Sequence, residues 1–139
     1  MSADLTWELV KNQSCFLVKR SGLQFTTEPN NLAGVNSYKY SGLANARTVG
    51  LTANPKGRGV VLTTARGFRA NKIANRQRSV ALTRGGPRHT AKSIVGQIAT
   101  YRPDLRSAAL GRATALLRAQ KAVKAGPKRR STGPRASRK

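Results

Sequence analysis

Apolar residues recur along the chain in two rhythms, four apart near the ends and alternating between them. In ADLTWELVKN (3–12), Leu5 and Leu9 are four apart, as are Thr6 and Val10, which predicts a short helix. Ser2 stands where an N-cap hydroxyl belongs, Asp4 lies where the helix dipole favours an anion, and Asn12 can end the helix. CFLVKR (15–20) and LQFTTE (23–28) read as antiparallel strands around Ser21-Gly22, and Pro29-Asn30-Asn31 stops the second. SYKY (37–40), RTVGL (47–51) and GVVLTTA (59–65) read as further short strands, the last two joined through Asn54-Pro55-Lys56-Gly57. Four or five such strands suffice for one small antiparallel sheet.

From residue 66 the rhythm is lost. RGFRANKIANRQRSVALTRGGPR (66–88) holds seven Arg and Lys, Arg88 included, without a clear period. It reads either as a solvated loop or as an extended arm lying on phosphates, and the charge of the whole chain favours the arm. Helical spacing returns over 90–100, with Ala91, Ile94, Val95 and Ile98 on one side and Gly96 weakening the segment by about 1 kcal/mol relative to Ala. Pro103 and Asp104 mark a new helix start, running to about Lys121. At about 100° per residue, Leu105, Ala109, Ala113, Leu116 and Leu117 share a face, with Leu110 at its edge and Arg106 and Arg112 inside the arc. The predicted fold is α+β: a short first helix on a small antiparallel sheet, then a basic arm, two helices and a basic tail. The expected organisation is one domain over 1–121, made of a sheet region (1–65), an arm (66–88) and a helical region (89–121). A tail over 122–139, disordered when free, follows it.

Charge changes the picture more than any single motif. The chain has 139 residues and a formal charge of +23, from 27 Lys and Arg against four acids, Asp4, Glu8, Glu28 and Asp104. Residues 1–18 carry one basic group, and residues 100–139 carry twelve. Such a chain repels itself unless a polyanion supplies counter-charge, and nucleic acid is the commonest. Binding to an anionic membrane would call for a basic amphipathic helix with bulky apolar residues opposite the charge; these helices offer Ala and single Leu. No apolar run approaches the length of a membrane span. The first twenty residues look like a piece of the fold rather than a secretory or mitochondrial leader, so a cytosolic or nuclear protein is expected.

Catalytic chemistry fails on inventory. His89 is the one histidine, beside Arg88 in a basic Gly-Pro loop, and any Ser-His-Asp or Cys-His arrangement would have to use it. The acids look committed to helix starts and a turn, and neither GxxxxGK[ST] nor a GxGxxG opening a helix occurs. One cysteine, Cys15, allows neither an internal disulfide nor a multi-thiolate zinc site, so no metal or cofactor is expected. Cys15 and Trp7 read as buried, and Tyr38 and Tyr40 as half-buried sheet residues, although both rings could stack on bases from one strand face.

TEPNNL (27–32), NSYKYSGL (36–43), RTVGL (47–51), KGRGVVL (56–62) and YRPDLRSAALGRATALLRAQK (101–121), in this order, resemble the eukaryotic large-subunit ribosomal protein twenty-eight family, as does the opening MSADLTWELVKNQSCFLVKR. The resemblance spans about residues 1–121, while 66–100 and the tail agree in character more than in wording. It implies a structural constituent of the large subunit of the cytosolic ribosome, with no catalytic role and no small-molecule substrate. The implied partners are large-subunit ribosomal RNA and neighbouring large-subunit proteins, with passage through the nucleolus during assembly. A similar N-terminal module occurs in a nucleolar ribosome-assembly factor with long acidic extensions, which this chain lacks; that factor, or a free RNA chaperone, is the alternative. A DNA-compacting protein would also tolerate the charge, but no homeodomain, zinc finger or basic zipper is present. The residues expected to meet RNA are Lys39 and Arg47 in the sheet region, and Arg66, Arg69, Lys72, Arg76, Arg78, Arg84 and Arg88 in the arm. Arg102, Arg106, Arg112 and Arg118 follow on the last helix, expected to be the main joint with RNA, and Lys128, Arg129 and Arg130 in the tail.

Overall fold

Asn54 through Gly57 turn the chain back on itself as expected, and the strands on either side form the centre of the fold. In the computed structural model, which describes residues 2–66, 76–123 and 126, β3 (Val49–Ala53) pairs antiparallel with β4 (Val60–Ala65), bringing Leu51 opposite Leu62 and Val49 opposite Thr64. β4 pairs in turn with β5 (Gln77–Leu82), with Val60 opposite Leu82 and Leu62 opposite Val80. Because side chains alternate across a sheet, Val49, Leu51, Val60, Leu62, Val80 and Leu82 fall on one face. Two helices cover it: α2 (Pro87–Ile98), through Ile94 and Ile98, and α3 (Arg106–Ala119), through Ala109, Ala113 and Leu117, with Leu105 in the 3-10 turn Pro103–Leu105 that leads into α3. Val60, Leu62, Ile94 and Ala109 are 0% exposed. Small residues on α3 let its backbone approach the sheet closely, so the expected face of that helix is the packed one.

The N-terminal region is a separate layer. α1 (Ala3–Val10) begins at Ser2, whose hydroxyl accepts from Leu5 N–H at 3.2 Å. Of its two four-apart pairs, Thr6 and Val10 turn inward, while Leu5 and Leu9 remain 51% and 54% exposed. β1 (Leu17–Arg20) and β2 (Leu23–Thr26) form a hairpin of their own, closed at Ser21-Gly22, where both residues have positive φ. The architecture is therefore α+β, with two small antiparallel sheets in place of the single one expected. The reason lies between Thr27 and Thr48. Glu28 accepts from Asn31 Nδ2 at 2.8 Å and from the Ser41 hydroxyl at 3.3 Å, and Asn31 Oδ1 accepts from Ala33 and Gly34 N–H. These side chains satisfy the backbone locally, so the segment folds as linked turns instead of a strand that would join the two sheets.

Four further expectations are corrected. Ser37–Tyr40 is a turn, with Tyr40 N–H donating to Ser37 O, and only Tyr40 packs on the core. Tyr38 stands half-exposed, its ring 5.8 Å from that of Trp7 and its hydroxyl donating to Asp4 at 2.8 Å; Trp7 is thus half-buried outside the main core. Cys15 is exposed, ahead of β1 rather than in it. The basic segment 66–88 is not one arm: 77–82 is the third strand of the main sheet, and Pro87 and Arg88 open α2, with Gly86 as its N-cap. The residues 67–75 and most of the basic tail lie outside the described residues.

The turn between β3 and β4 is fastened to the far end of α3. Gln120 donates to Gly59 O at 2.8 Å and accepts from Gly59 N–H at 2.9 Å, a reciprocal amide pair. Gly59 has φ +117, and a Cβ there would come 2.6 Å from Leu82 O, so both conformation and space demand glycine. Removing two neutral hydrogen bonds costs about 1 kcal/mol. Gln120→Ala is expected to lower the stability measured in urea by that amount without changing the slope of unfolding, because the core face is untouched.

Candidate nucleic-acid interface

Three arginines far apart in sequence meet at one edge of the main sheet. Arg47 lies just before β3, Arg66 just after β4, and Arg78 in β5 opposite Thr64. Following the line Leu82, Val80, Arg78, the core face runs out from under the helices, and the last of these side chains reaches an open groove of about 820 Å³. Thr64, Ala65, Thr100 and Tyr101 complete its lining. A second groove of about 450 Å³ shares Thr64, Arg78, Thr100 and Tyr101 and continues past Gly96 and Gln97 of α2. Tyr101 forms the floor. Its hydroxyl donates to Ala65 O at 2.6 Å, and the Arg47 guanidinium lies over its ring, 5.9 Å from the centroid. Burial of the ring raises the Tyr101 pKa above its ordinary value, so the hydroxyl stays protonated and holds that bond.

Nothing within the described residues competes for these arginines. Asp4 accepts from Tyr38, Glu8 pairs with Lys11, Glu28 holds Asn31 and Ser41, and Asp104 pairs with Arg102. Among the described residues those with Lys11 and Arg102 are the ion pairs present. Arg47 and Arg78 are exposed and Arg66 is half-buried, so their planar forks remain available for an oxyanion, where bidentate contact is geometrically natural.

Arg102 has a different task. Its Nε and one terminal nitrogen donate to Asp104 at 2.9 and 2.8 Å, that same nitrogen donates to Lys39 O at 3.0 Å, and the other donates to Arg47 O at 2.8 Å. The side chain is 16% exposed. Four bonds on a fork of five N–H groups tie the 39–47 loop to the start of α3 and fix the backbone on which Arg47 is mounted. These hydrogen bonds hold the Asp104 carboxyl below its usual range. A lowered folded-state pKa stabilises the fold at pH above the unfolded value, near 3.9, and that contribution is lost as pH falls through the folded value. Below about pH 4, Asp104→Asn should therefore fall less in thermal midpoint than the parent chain, the comparison to be made by acid titration followed by circular dichroism.

The other expected contacts do not converge on the groove. Arg106, Arg112 and Arg118 are exposed, but residues six apart on a helix point about 120° from one another, so they cannot address one ligand together. Lys39, Arg76, Arg84 and Arg88 are exposed at separate places, with the Lys39 ammonium 5.6 Å from the centre of the Tyr40 ring. Arg69, Lys72, Lys128, Arg129 and Arg130 lie outside the described residues. No sequence signal singles out Thr64, Thr100 or Tyr101. A hydroxyl or ring beside a cation has no signature until the sheet brings them together.

His89 is exposed in the first turn of α2 and lines a small groove with Arg84, and the described residues contain no group of three or more His, Cys, Asp or Glu able to hold a metal. No helix among them is long and apolar enough to cross a membrane. Among the described residues the groove is cationic, walled by Arg47, Arg66 and Arg78, and the family to which its chain belongs is one of ribosomal structural proteins. Residues 5–119 match the ribosomal L28e protein family, and the chain belongs to it. It is 40% identical over 130 residues to large ribosomal subunit protein eL28 of Schizosaccharomyces pombe, covering 89% of this chain and 96% of that one. It is 36% identical over 129 residues to the Dictyostelium discoideum protein of the same name, covering 92% and 93%, and 31% identical over 135 residues to that of Trypanosoma cruzi, covering 94% and 88%.

Proposed function

We propose that the chain is a structural constituent of the large subunit of the cytosolic ribosome, where it binds and stabilises ribosomal RNA and so supports translation. The observation that carries this reading is the convergence of Arg47, Arg66 and Arg78, none with an acidic partner among the described residues, on one open groove. The names of its relatives support the large subunit as its place. In this reading the groove seats the RNA backbone, with phosphate oxygens on the guanidinium forks and the Thr64 and Thr100 hydroxyls beside them. Lys39, Arg76, Arg84, Arg88, Arg106, Arg112 and Arg118 add dispersed phosphate contacts, as do Arg69, Lys72, Lys128, Arg129 and Arg130. Residues 1–121 act as one domain and 122–139 as a tail laid along RNA, and the protein joins the particle after passing through the nucleolus.

The test is a sucrose gradient of cell extract at high salt, with the protein followed by antibody. Comigration with mature large subunits and polysomes is the expected result. Recovery only in immature nucleolar particles would assign it to assembly instead, and release into the top fractions would make it a free RNA chaperone.

A further inference from the structure

The charge of the chain has a sharp boundary. Residues 1–38 hold three acids (Asp4, Glu8, Glu28) and three cations (Lys11, Lys19, Arg20), so they are neutral and the whole +23 resides in 39–139. Exposed apolar bulk is divided the same way. Of the large hydrophobic residues exposed among those described, Leu5, Leu9, Leu23, Phe25, Val35 and Tyr38 lie within 1–38, and only Val123 lies beyond.

The strand pairing gathers the central members of this apolar set into a patch. Val18 is opposite Phe25, and Phe25 is bridged on its other side to Val35, so the three stand in a row across the hairpin and its neighbour. Leu23 follows Phe25 at the next position of that face. Leu23, Phe25 and Val35 are 60%, 42% and 39% exposed. The opposite face is taken: Asn36 Nδ2 donates there both to Gln24 Oε1 and to Lys11 O at the end of α1. A two-stranded sheet with one apolar face open to water is marginal by itself, and a contiguous apolar patch on a soluble surface marks a contact site.

We infer that the Val18–Leu23–Phe25–Val35 face is a protein-docking surface, and that its occupant is an apolar patch on a neighbouring cationic protein of the same ribosomal particle. RNA does not fit it. Val18, Phe25 and Val35 offer a phosphate backbone no donor, Arg20 opposite Leu23 is a single cation at the hairpin end of this face, and the unit around it has no net charge to attract a polyanion. A protein bound to the same RNA is itself cationic, and repulsion keeps it from the +23 region of this chain. The neutral N-terminal unit is where such a neighbour approaches without an electrostatic penalty, and the apolar face then supplies the attraction.

The inference rests on the proposed ribosomal role. The experiment places p-benzoyl-phenylalanine at position 25 (Phe25→p-benzoyl-phenylalanine) and, separately, at position 100 (Thr100→p-benzoyl-phenylalanine) in the full chain, incorporates each into subunits in cells, and irradiates salt-washed purified large subunits. From position 25 the expected product is an RNase-resistant adduct identified by mass spectrometry as another large-subunit protein. An adduct to RNA, an adduct to this chain itself, or none would overturn the docking face. Position 100 lines the groove, and its expected product is an RNase-sensitive adduct. Failure there alone counts against the RNA reading and leaves the docking result standing. A second variant, Leu23→Ser with Phe25→Ser, should lose retention in salt-washed subunits while its affinity for isolated ribosomal RNA stays within about twofold of the parent, since hairpin and groove share no residue; an equal loss of both would also overturn the inference.

Discussion

Replacing Arg47, Arg66 and Arg78 together by alanine is expected to weaken binding to ribosomal RNA about 100-fold at about 0.15 M salt. The figure follows from counterion release. Each phosphate contact contributes a slope of about −0.7 to −0.9 in a plot of log affinity against log salt, which at that concentration is roughly a factor of five per contact. Three contacts multiply to about two decades, and the slope should become shallower by about two to three. The variant should keep its fold, because two of the side chains are exposed, the third is half-buried, and none supports the core. Filter binding across a salt series measures both quantities. An unchanged slope would remove the groove from the RNA interface, whatever the change in affinity.

The second large effect belongs to Arg102 and has the opposite signature. Arg102→Ala deletes four hydrogen bonds and leaves the carbonyls of Lys39 and Arg47 without their donor. Asp104 is 41% exposed, so its half of the ion pair is screened, and most of the loss comes from the better-shielded carbonyl contacts. A fall in stability of about 2 kcal/mol is expected in urea unfolding, with the salt slope of RNA binding nearly unchanged. Arg102→Lys should recover little of it, because a single ammonium cannot reach three acceptor groups held at the corners of a planar fork. If alanine at this position instead flattens the salt slope and leaves stability intact, Arg102 is a phosphate contact after all.

Much of the fold is legible in the sequence where one physical signal dominates. The four-residue spacing of Leu105, Ala109, Ala113 and Leu117 predicts the packed face of α3, and all four are buried. Ser2 predicts the start of α1, and Asn54-Pro55-Lys56-Gly57 predicts the turn between β3 and β4. β5 is missed because the alternation of Val80 and Leu82 is brief, and its outward positions, exposed at the edge of the sheet, carry Gln77, Ser79 and Ala81, so the stretch reads as a polar run. The division into two sheets depends on the Glu28–Asn31–Ser41 hydrogen bonds, and no periodicity encodes a side-chain network. Charge predicts a polyanion partner but does not rank the arginines that would meet it. Arg102 and Arg106 look alike in YRPDLR, yet one spends its donors inside the protein and the other faces out. Only the register of β4 with β5, which sets Arg78 against Thr64, shows which residues share a groove.

In the proposed ribosomal role, the convergence of Arg47, Arg66 and Arg78 on one groove would make RNA a folding ligand for this chain. An unfolded copy carries the same cations and adheres to RNA through them, but it cannot hold three guanidiniums at one groove. Only the difference in affinity between the two forms stabilises the native one, by RT times the logarithm of one plus free ligand over Kd when the unfolded form binds weakly. Raising the salt weakens both kinds of binding and therefore erodes this linkage faster than it erodes the apolar core. A subunit washed in strong salt can thus leave the protein correctly folded yet less protected than it was in the particle, its melting temperature sliding toward that of the free chain.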